Sequence, residues 1–210
     1  MPHDTSTNYG VAEGGARVKL DGTKTILLVG VGGQGTILTG QLLAMVAADA
    51  GLDVKVSEIH GMSQRGGSVS TVVRVGEKVE SMVCDPGCAD IVVAFEAVEA
   101  LRAQHYLRTG GKLFVNDEQI VPVSVHVGNF QMPADAEARL DEIGAVRIDA
   151  GEIARAAGSP KSTNVVLVGA LSTALPFSEE EWRDAIRRRV PPKTVDANLE
   201  AFARGRAAVA

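Results

Sequence analysis

Residues 24–50 read KTILLVGVGGQGTILTGQLLAMVAADA, and this stretch decides the fold class. Its first part, Lys24–Gly30, is a short continuous apolar run, which is typical of a strand buried on both faces. The following segment, Gly33–Ala50, is rich in Leu, Ala and Met and predicts a helix that ends before Gly51. A glycine-rich turn between a buried strand and a helix indicates an α/β fold of the doubly wound, Rossmann-like kind.

The remaining pattern predicts a mostly parallel sheet with an inserted β-ribbon and a helical C-terminal segment. Strands are expected at Val54–Ile59, Ser68–Val75, Lys78–Val83, Asp90–Phe95, Lys112–Asn116 and Ala145–Ile148, with an edge strand at Val121–Val127. The ribbon is Ser68–Val75 turning into Lys78–Val83. Further helices are expected at Ala97–Arg108, which Gly110-Gly111 would stop, and at Ala134–Ile143, Gly151–Ala157, Ser162–Ala174, Ser178–Val190 and Thr194–Gly205.

The organisation of the chain is simple. Residues 1–23 are polar, without an apolar period of either kind, and we expect a flexible N-terminal arm there. No repeat or linker interrupts residues 24–205, so we expect a single domain over residues 24–210. Small residues in Ser162–Ala174 suit close helix packing, and Ser178, followed by three acids, suits a helix start.

Composition excludes several classes of protein. The 210 residues carry a net charge of −5 and only 4% aromatic residues, which disfavours nucleic-acid binding. The longest apolar runs fall far short of the roughly 20 residues that a membrane span needs. The N-terminus lacks the apolar core of a signal peptide, so we expect a cytoplasmic protein. Two cysteines cannot form a disulfide framework.

The stretch Gly30-Val31-Gly32-Gly33-Gln34-Gly35 fits the G-x-G-x-x-G pattern after a strand and before a helix. Such glycines allow a tight turn and close approach of a pyrophosphate to the helix N-terminus. Glycines also occur in such turns for packing alone. Glu58 follows Gly35 by 23 residues, near the place of a ribose-binding acid. The candidate cofactor-binding residues here are Gly30, Gly32, Gly33, Gln34 and Gly35.

A second candidate stretch is residues 57–68, SEIHGMSQRGGS, after the second strand. Arg65 offers a planar fork that can hold a phosphate or a carboxylate. Gly66 and Gly67 allow the backbone to turn sharply or to approach a partner closely. We expect the loop beside the Gly30–Gly35 turn, because both would follow adjacent strands at their carboxyl ends. The alternative is a surface loop with a solvated arginine.

The sequence contains no recognisable catalytic or metal-binding residues. Cys84 and Cys88 are only two thiols, whereas an iron–sulfur cluster takes four ligands. The histidines at 3, 60, 105 and 126 show no metal-ligand spacing. No Walker-type GK[ST] follows the glycines.

Several stretches in this order resemble the γ-type domain of the 2-oxoacid:ferredoxin oxidoreductases. They are VGVGGQGTILTGQLLA, SEIHGMSQRGGSVSTVVRVG, ADIVVAFE, NVVLVGALS and RRRVPPKTVDANLEAFARG. The resemblance covers roughly residues 24–206, and it is specific because HGMSQRGG follows the glycine loop. The wording of HGMSQRGG favours the indolepyruvate branch of that family.

The resemblance implies a small, non-autonomous subunit of an oxidoreductase complex. A large partner subunit would carry thiamine diphosphate and iron–sulfur clusters, and the complex would oxidatively decarboxylate arylpyruvates such as indolepyruvate. Electrons would pass to ferredoxin and the acyl group would leave on coenzyme A. The γ-type domain would help to hold coenzyme A, which adds Arg65, Gly66 and Gly67 to the candidate residues. Such a subunit is expected to expose an apolar face for its partner, near Ser162–Ala174 or Lys78–Val83, and to form a homodimer when isolated.

Two other functions stay open at this point. One is a self-contained NAD- or flavin-dependent oxidoreductase that uses the glycine loop and Glu58. The other is a non-catalytic nucleotide-binding module without a partner enzyme.

Overall fold

A computed structural model describes residues 18–60, 67–121, 125 and 131–210, and these form a mixed sheet with helices on both faces. The six strands are β1 (Lys24–Val31), β2 (Asp53–His60), β3 (Ser68–Gly76), β4 (Ala89–Ala94), β5 (Leu107–Asn116) and β6 (Val146–Ile148). Their order in the sheet is β2-β3-β1-β4-β5-β6. β1, β4, β5 and β6 are parallel, whereas β3 is antiparallel to both of its neighbours.

The described helices are α1 (Thr36–Asp49), α2 (Ala97–Ala103), α3 (Ala136–Glu142), α4 (Ala150–Ala156), α5 (Thr163–Ser172), α6 (Glu179–Arg189) and α7 (Val195–Ala207). One face of the sheet packs against α1 and the four C-terminal helices, and the other face packs against α2 and α3. None of these described helices is long and apolar enough to cross a membrane. The expected doubly wound α/β fold with a helical C-terminal segment is confirmed.

β1 lies at the centre of the core because its side chains point alternately into both layers. Ile26 and Leu28 belong to the cluster on the α1 side, and Leu27 and Val29 belong to the cluster on the α2 side. All four are at most 3% exposed. The continuous apolar run in the sequence is therefore a strand buried on both faces, as predicted.

The antiparallel insertion differs from the expected ribbon. β3 pairs with β1 along one edge and with β2 along the other, so it has no edge left for Lys78–Val83. That predicted strand is wrong: the segment is a loop held by Arg74, which donates to the carbonyl oxygens of Ser81 and Val83 at 3.0 and 3.2 Å. The antiparallel hairpin of this fold is instead β2–β3.

The second predicted helix is also shorter than expected. α2 ends at Ala103, a 3-10 turn follows, and β5 begins at Leu107. Gly110-Gly111 therefore lies within β5, where the pairing with β4 shifts register, and does not stop a helix. Pairing with β4 starts at Leu107 and outweighs the helical pattern at the end of the predicted helix. Val121 lies in no strand, and most of the predicted strand Val121–Val127 is outside the described residues.

The C-terminal helices fill the α1 face of the core. Every residue from Asn164 to Ser172 is buried, so α5 is a core helix and the expectation of an exposed apolar face there is wrong. Gly169 lets the backbone of α7 approach closely, because a Cβ at this position would collide with the carbonyl oxygen of Phe202. In the 78–83 loop, by contrast, Met82 and Val83 are 47% and 64% exposed.

The start of α6 follows the prediction. Ser178 and Glu181 form a reciprocal capping box, in which each side chain accepts a hydrogen bond from the other residue's backbone N–H. Ahead of β1, Val18 and Leu20 pack against the core on the α1 side.

Candidate functional site

The glycine loop joins the carboxyl end of β1 to the start of α1. Gly33 has φ +105° and Gly35 has φ +91°, which L side chains rarely adopt. The N–H of Gln34 donates to the carbonyl oxygen of Val31 at 3.1 Å and closes the turn. Gly35 is the N-cap of α1 and provides no capping side chain, and the first turn of α1 has no acid. The first N–H groups of the helix are thus oriented towards the space above the loop.

Two of the candidate residues hold the loop in shape. A Cβ on Gly30 would lie 2.9 Å from Cβ of Phe95 and 2.8 Å from Oε1 of Gln34. The Gln34 side chain fills this space: its Oε1 accepts from the N–H of Val31 at 2.8 Å, and its Nε2 donates to the carbonyl oxygen of Phe95 at 3.0 Å. The packing role considered for these glycines therefore applies to Gly30.

The second candidate stretch meets the glycine loop at Gly67. The N–H of Gly32 donates to the carbonyl oxygen of Gly67 at 2.9 Å. The predicted reason for this proximity was wrong, because β3 lies between β1 and β2 and these two strands are not adjacent. The contact arises because β3 begins directly after Gly67 and pairs with β1. Arg65 and Gly66 lie outside the described residues.

A cleft of about 560 Å³ opens on one side of the glycine loop, and we call it the α1 cleft. Its volume is within the range of small-molecule sites. Its walls come from the loop, the start of α1, the β2–β3 hairpin and the end of α6. The lining residues are Gly32, Gly33, Gly35, Thr36, Ile37, Leu38, Gln41, Glu58, Val69 and Arg189. Glu58, the candidate ribose-binding acid, is thus in the same cleft as three of the candidate glycines.

A second cleft of about 350 Å³ lies on the other side of the loop, between the carboxyl ends of β1 and β4. The chain leaves these two strands towards opposite faces of the sheet, which is where open α/β sheets bind ligands. We call it the switch-point cleft. Its lining residues are Gly33, Gln34, Phe95, Asn116, Glu118, Ile120, Pro160, Lys161 and Thr163. Gly33 borders both clefts, and no atom lies within 4 Å of the position of a Cβ there.

Some lining residues were not found from the sequence. Asn116 is the last residue of the strand β5 and Glu118 follows it by two positions, and this place at a carboxyl end could have identified both as candidates. Arg189 had no such signal: its guanidinium donates to Oε1 of Gln41 at 2.6 and 3.1 Å, across 148 residues of chain. Only the packing of α6 against α1 brings this cation to the cleft.

Two carboxylates beside the loop have internal partners. Glu96 is 2% exposed and accepts from the N–H groups of Glu99 and Ile120 at 2.9 and 3.2 Å. Burial raises the pKa of Glu96 above its ordinary value, and the N–H donors oppose this shift. Glu99 accepts from the hydroxyl of Ser68 at 2.5 Å and pairs with Arg102 at 2.8 Å. Both groups therefore shape α2 and the start of β3.

The thiols lie in the loop before β4. Cys84 packs against the core on the α2 side. Burial, together with a hydrogen bond to Cys88, raises the pKa of the Cys84 thiol to about 12. Among the described residues there is no group of three or more His, Cys, Asp or Glu side chains that could hold a metal ion.

Comparison with known proteins agrees with this architecture. The sequence matches the pyruvate ferredoxin/flavodoxin oxidoreductase family over residues 25–208. It is 44% identical over 187 residues to the indolepyruvate oxidoreductase subunit IorB of Thermococcus kodakarensis, and the match covers 86% of this chain and 93% of that protein.

Solved structures share the fold. The γ subunit of a keto/oxoacid ferredoxin oxidoreductase from Geobacter sulfurreducens is 24% identical with a TM-score of 0.65, covering 89% of this chain and 98% of that one. A 2-oxoglutarate:ferredoxin oxidoreductase from Magnetococcus marinus with 2-oxoglutarate, coenzyme A and succinyl-CoA bound is 23% identical with a TM-score of 0.69. The match covers 90% of this chain and 31% of that one. On the strength of the family match and the close relative, this chain belongs to the pyruvate ferredoxin/flavodoxin oxidoreductase family.

Proposed function

We propose that this chain is the small subunit of an indolepyruvate:ferredoxin oxidoreductase, which decarboxylates arylpyruvates oxidatively. The observation that carries the proposal is the 44% identity to an indolepyruvate oxidoreductase subunit over 93% of that protein's length. The structure adds that the two most specific stretches, the glycine loop and the end of HGMSQRGG, are in contact through Gly32 and Gly67.

The large partner subunit would carry thiamine diphosphate and the iron–sulfur clusters. This chain has two cysteines, whereas a cluster takes four ligands. Thiamine diphosphate would supply the carbanion chemistry of decarboxylation, and the clusters would pass electrons to ferredoxin. Residues 24–210 would act as one γ-type domain within a cytoplasmic complex. An isolated chain could pair with a second copy until the partner is present.

The role we propose for this chain is to hold coenzyme A at the glycine loop. The open space above Gly33 and the uncapped start of α1 suit a pyrophosphate. Gly32 and Gly35 would border it, and Gly30 and Gln34 would keep the loop in shape. The N–H of Gly32 already donates to the carbonyl oxygen of Gly67, so it would not donate to the phosphate.

Arg65 and Gly66 complete the proposed site on sequence grounds. Arg65 would bind either a phosphate of a cofactor or a carboxylate of the partner subunit. Gly66 would allow its loop to lie close to that partner.

A test of the complex is co-expression with candidate large subunits. We expect dye or ferredoxin reduction that depends on indolepyruvate and coenzyme A, and exceeds the activity with pyruvate or 2-oxoglutarate at least tenfold. Activity with pyruvate or 2-oxoglutarate alone would place the chain in another branch of the family. Tight NAD binding, or a flavin that colours the purified chain, would support the self-contained oxidoreductase instead. A chain that co-purifies with no such subunit would support the nucleotide-binding module.

A test of the site compares two glycines whose φ is positive, +105° at Gly33 and +80° at Gly158. Gly33 and Gly158 both have positive φ, and neither has an atom within 4 Å of a Cβ position. Alanine should therefore strain both positions, by at least about 1–2 kcal/mol each. Only Gly33→Ala should raise the KM for coenzyme A, by about tenfold, because only Gly33 borders the clefts. Equal KM values for the two variants would exclude the glycine loop as the coenzyme A site.

A further inference from the structure

Three arginines end α6, and their partners differ. Arg187 pairs with Glu180 at 2.6 Å, and Arg188 pairs with Asp49 and Asp184. Arg189 instead donates twice to the neutral amide oxygen of Gln41. Among the described residues no carboxylate lies within 4 Å of the Arg189 guanidinium. The fold thus fixes a guanidinium at the wall of the α1 cleft without neutralising its charge.

The surroundings of Arg189 in the cleft suit a phosphorylated nucleoside. Glu58, near the end of β2, lines the same cleft, and a carboxylate there can accept hydrogen bonds from ribose hydroxyls. Ile37 is 49% exposed and lines the cleft together with Leu38 and Val69, so an apolar surface is available to a base. In dinucleotide-binding folds, an arginine near the ribose accommodates the phosphate that NADP carries on it.

We propose that Arg189 binds a phosphomonoester on the ribose of an adenine nucleotide and makes the site specific for the 3′-phosphate of coenzyme A. This inference rests on the proposed function, because coenzyme A is the nucleotide assigned to the site there. The planar fork of Arg189 has donors left for phosphate oxygens after two of its N–H groups bind Gln41. Gln41 acts as a positioning residue, since it holds the guanidinium in place before the ligand arrives.

A purely structural role for Arg189 predicts a different behaviour. An arginine at the C-terminal end of a helix is stabilised by the helix dipole, and here it also ties α6 to α1. If this were its only role, removing the Arg189 side chain would lower the affinity for every nucleotide equally or leave all affinities unchanged. The two hypotheses therefore predict different changes in affinity for ligands with and without the phosphomonoester.

The experiment measures the affinity of the assembled complex for coenzyme A and for 3′-dephospho-coenzyme A by equilibrium dialysis. We expect the wild type to prefer coenzyme A about 10-fold or more, as one charge-assisted contact provides. Arg189→Gln should lower the affinity for coenzyme A by about 10- to 100-fold and change the affinity for 3′-dephospho-coenzyme A less than about twofold. Arg189→Lys, which keeps the charge but lacks the fork, should have an intermediate preference. Arg187→Gln, on the same helix end but outside the cleft lining, should match the wild type.

Three results would overturn the inference: no preference in the wild type, equal weakening of both ligands by Arg189→Gln, or no effect of that variant. If Arg189→Gln prevents assembly, Arg189→Lys decides, and an unchanged preference in it counts against the inference. NADP⁺ and NAD⁺ form a second pair of probes, and a preference between them larger than that for coenzyme A would assign the phosphate to NADP⁺ and overturn the inference. Binding preference without oxidation of any 2-oxoacid would refute the proposed function and leave Arg189 supported. Oxidation of indolepyruvate by a complex that binds coenzyme A and 3′-dephospho-coenzyme A equally would support the proposed function and refute the role of Arg189.

Discussion

Gly33 and Gly35 share a positive φ but differ in their surroundings. A Cβ on Gly35 would lie 2.8 Å from Nδ2 and 3.1 Å from Cβ of the buried Asn164, whereas a Cβ on Gly33 would meet nothing within 4 Å. Gly35→Ala should therefore destabilise the fold by about 3 kcal/mol, from strain plus overpacking, and Gly33→Ala by about 1–2 kcal/mol. Urea denaturation of the isolated chain measures the free energy of unfolding of both variants. Equal losses of this free energy would show that the Asn164 side chain moves aside without destabilising the fold.

The Cys84 thiol links the stability of the fold to alkaline pH. Its pKa is about 12 in the folded chain, because of burial and the hydrogen bond to Cys88, against an ordinary value of 9.0. The unfolded chain therefore loses this proton first as the pH rises. The stabilising contribution is complete below pH 9 and falls progressively until about pH 12.

Urea unfolding under reducing conditions from pH 8 to 11 tests this link. The wild type should lose free energy of unfolding more steeply with pH than Cys84→Ala, whose unfolding has no such proton to release. Other groups titrate in the same range in both proteins, so the difference between the two slopes is the measurement. Parallel slopes would contradict a raised pKa for Cys84.

At the scale of elements, the contact between α5 and α7 depends on two glycines. A Cβ on Gly205 would collide with the carbonyl oxygen of Val166, just as one on Gly169 would collide with that of Phe202. Backbone atoms cannot move aside as a flexible side chain can, so the helices would have to separate. Gly205→Ala should therefore cost about 3 kcal/mol or more, measured by urea denaturation.

Gly151 provides the matched control, because it also lies within a helix, α4. Its nearest atom to a Cβ position is in the Arg155 side chain at 3.6 Å, an ordinary contact. Gly151→Ala should stabilise the chain by about 0.5–1 kcal/mol through helix propensity. A loss of stability in Gly151→Ala similar to that in Gly205→Ala would remove the evidence for close helix packing.

At the scale of the whole molecule, the loop before β3 should matter mainly in the complex. If Arg65 binds a phosphate or a partner carboxylate away from water, Arg65→Ala removes on the order of 2–5 kcal/mol from that contact. We expect at least a tenfold loss of turnover or of subunit affinity, with a melting temperature of the isolated chain within about 1 °C of the wild type. Activity assays against coenzyme A concentration and dilution of the complex distinguish the two roles.

Arg155→Ala is the control for Arg65→Ala, because Arg155 is an exposed arginine of α4 that forms a local pair with Glu152, three residues before it. Surface pairs of this kind contribute little, so turnover and assembly should be unchanged. If Arg65→Ala behaves like Arg155→Ala in every assay, the functional interpretation of HGMSQRGG is wrong.

The sequence by itself determined the features that arise from contacts close along the chain. Local patterns predict the strand, turn and helix of residues 24–49 and the capping box at Ser178. They also predict the helix α5 with its small residues. The family could also be identified from the sequence, because its two motifs, the glycine loop and HGMSQRGG, are each short and contiguous. Helix and strand periods are local properties, and a buried strand differs in composition from its flanking turns.

The tertiary structure alone decided which segments pair and which side chains meet. β3 is shared by β1 and β2, which excludes the predicted strand Lys78–Val83, and pairing with β4 makes residues 107–111 part of a strand. Arg189 reaches the α1 cleft only through the packing of α6 on α1. Strand partners and cleft walls depend on residues tens to more than a hundred positions apart. Their free energy comes from burial and hydrogen bonding in the assembled core, which no local pattern encodes.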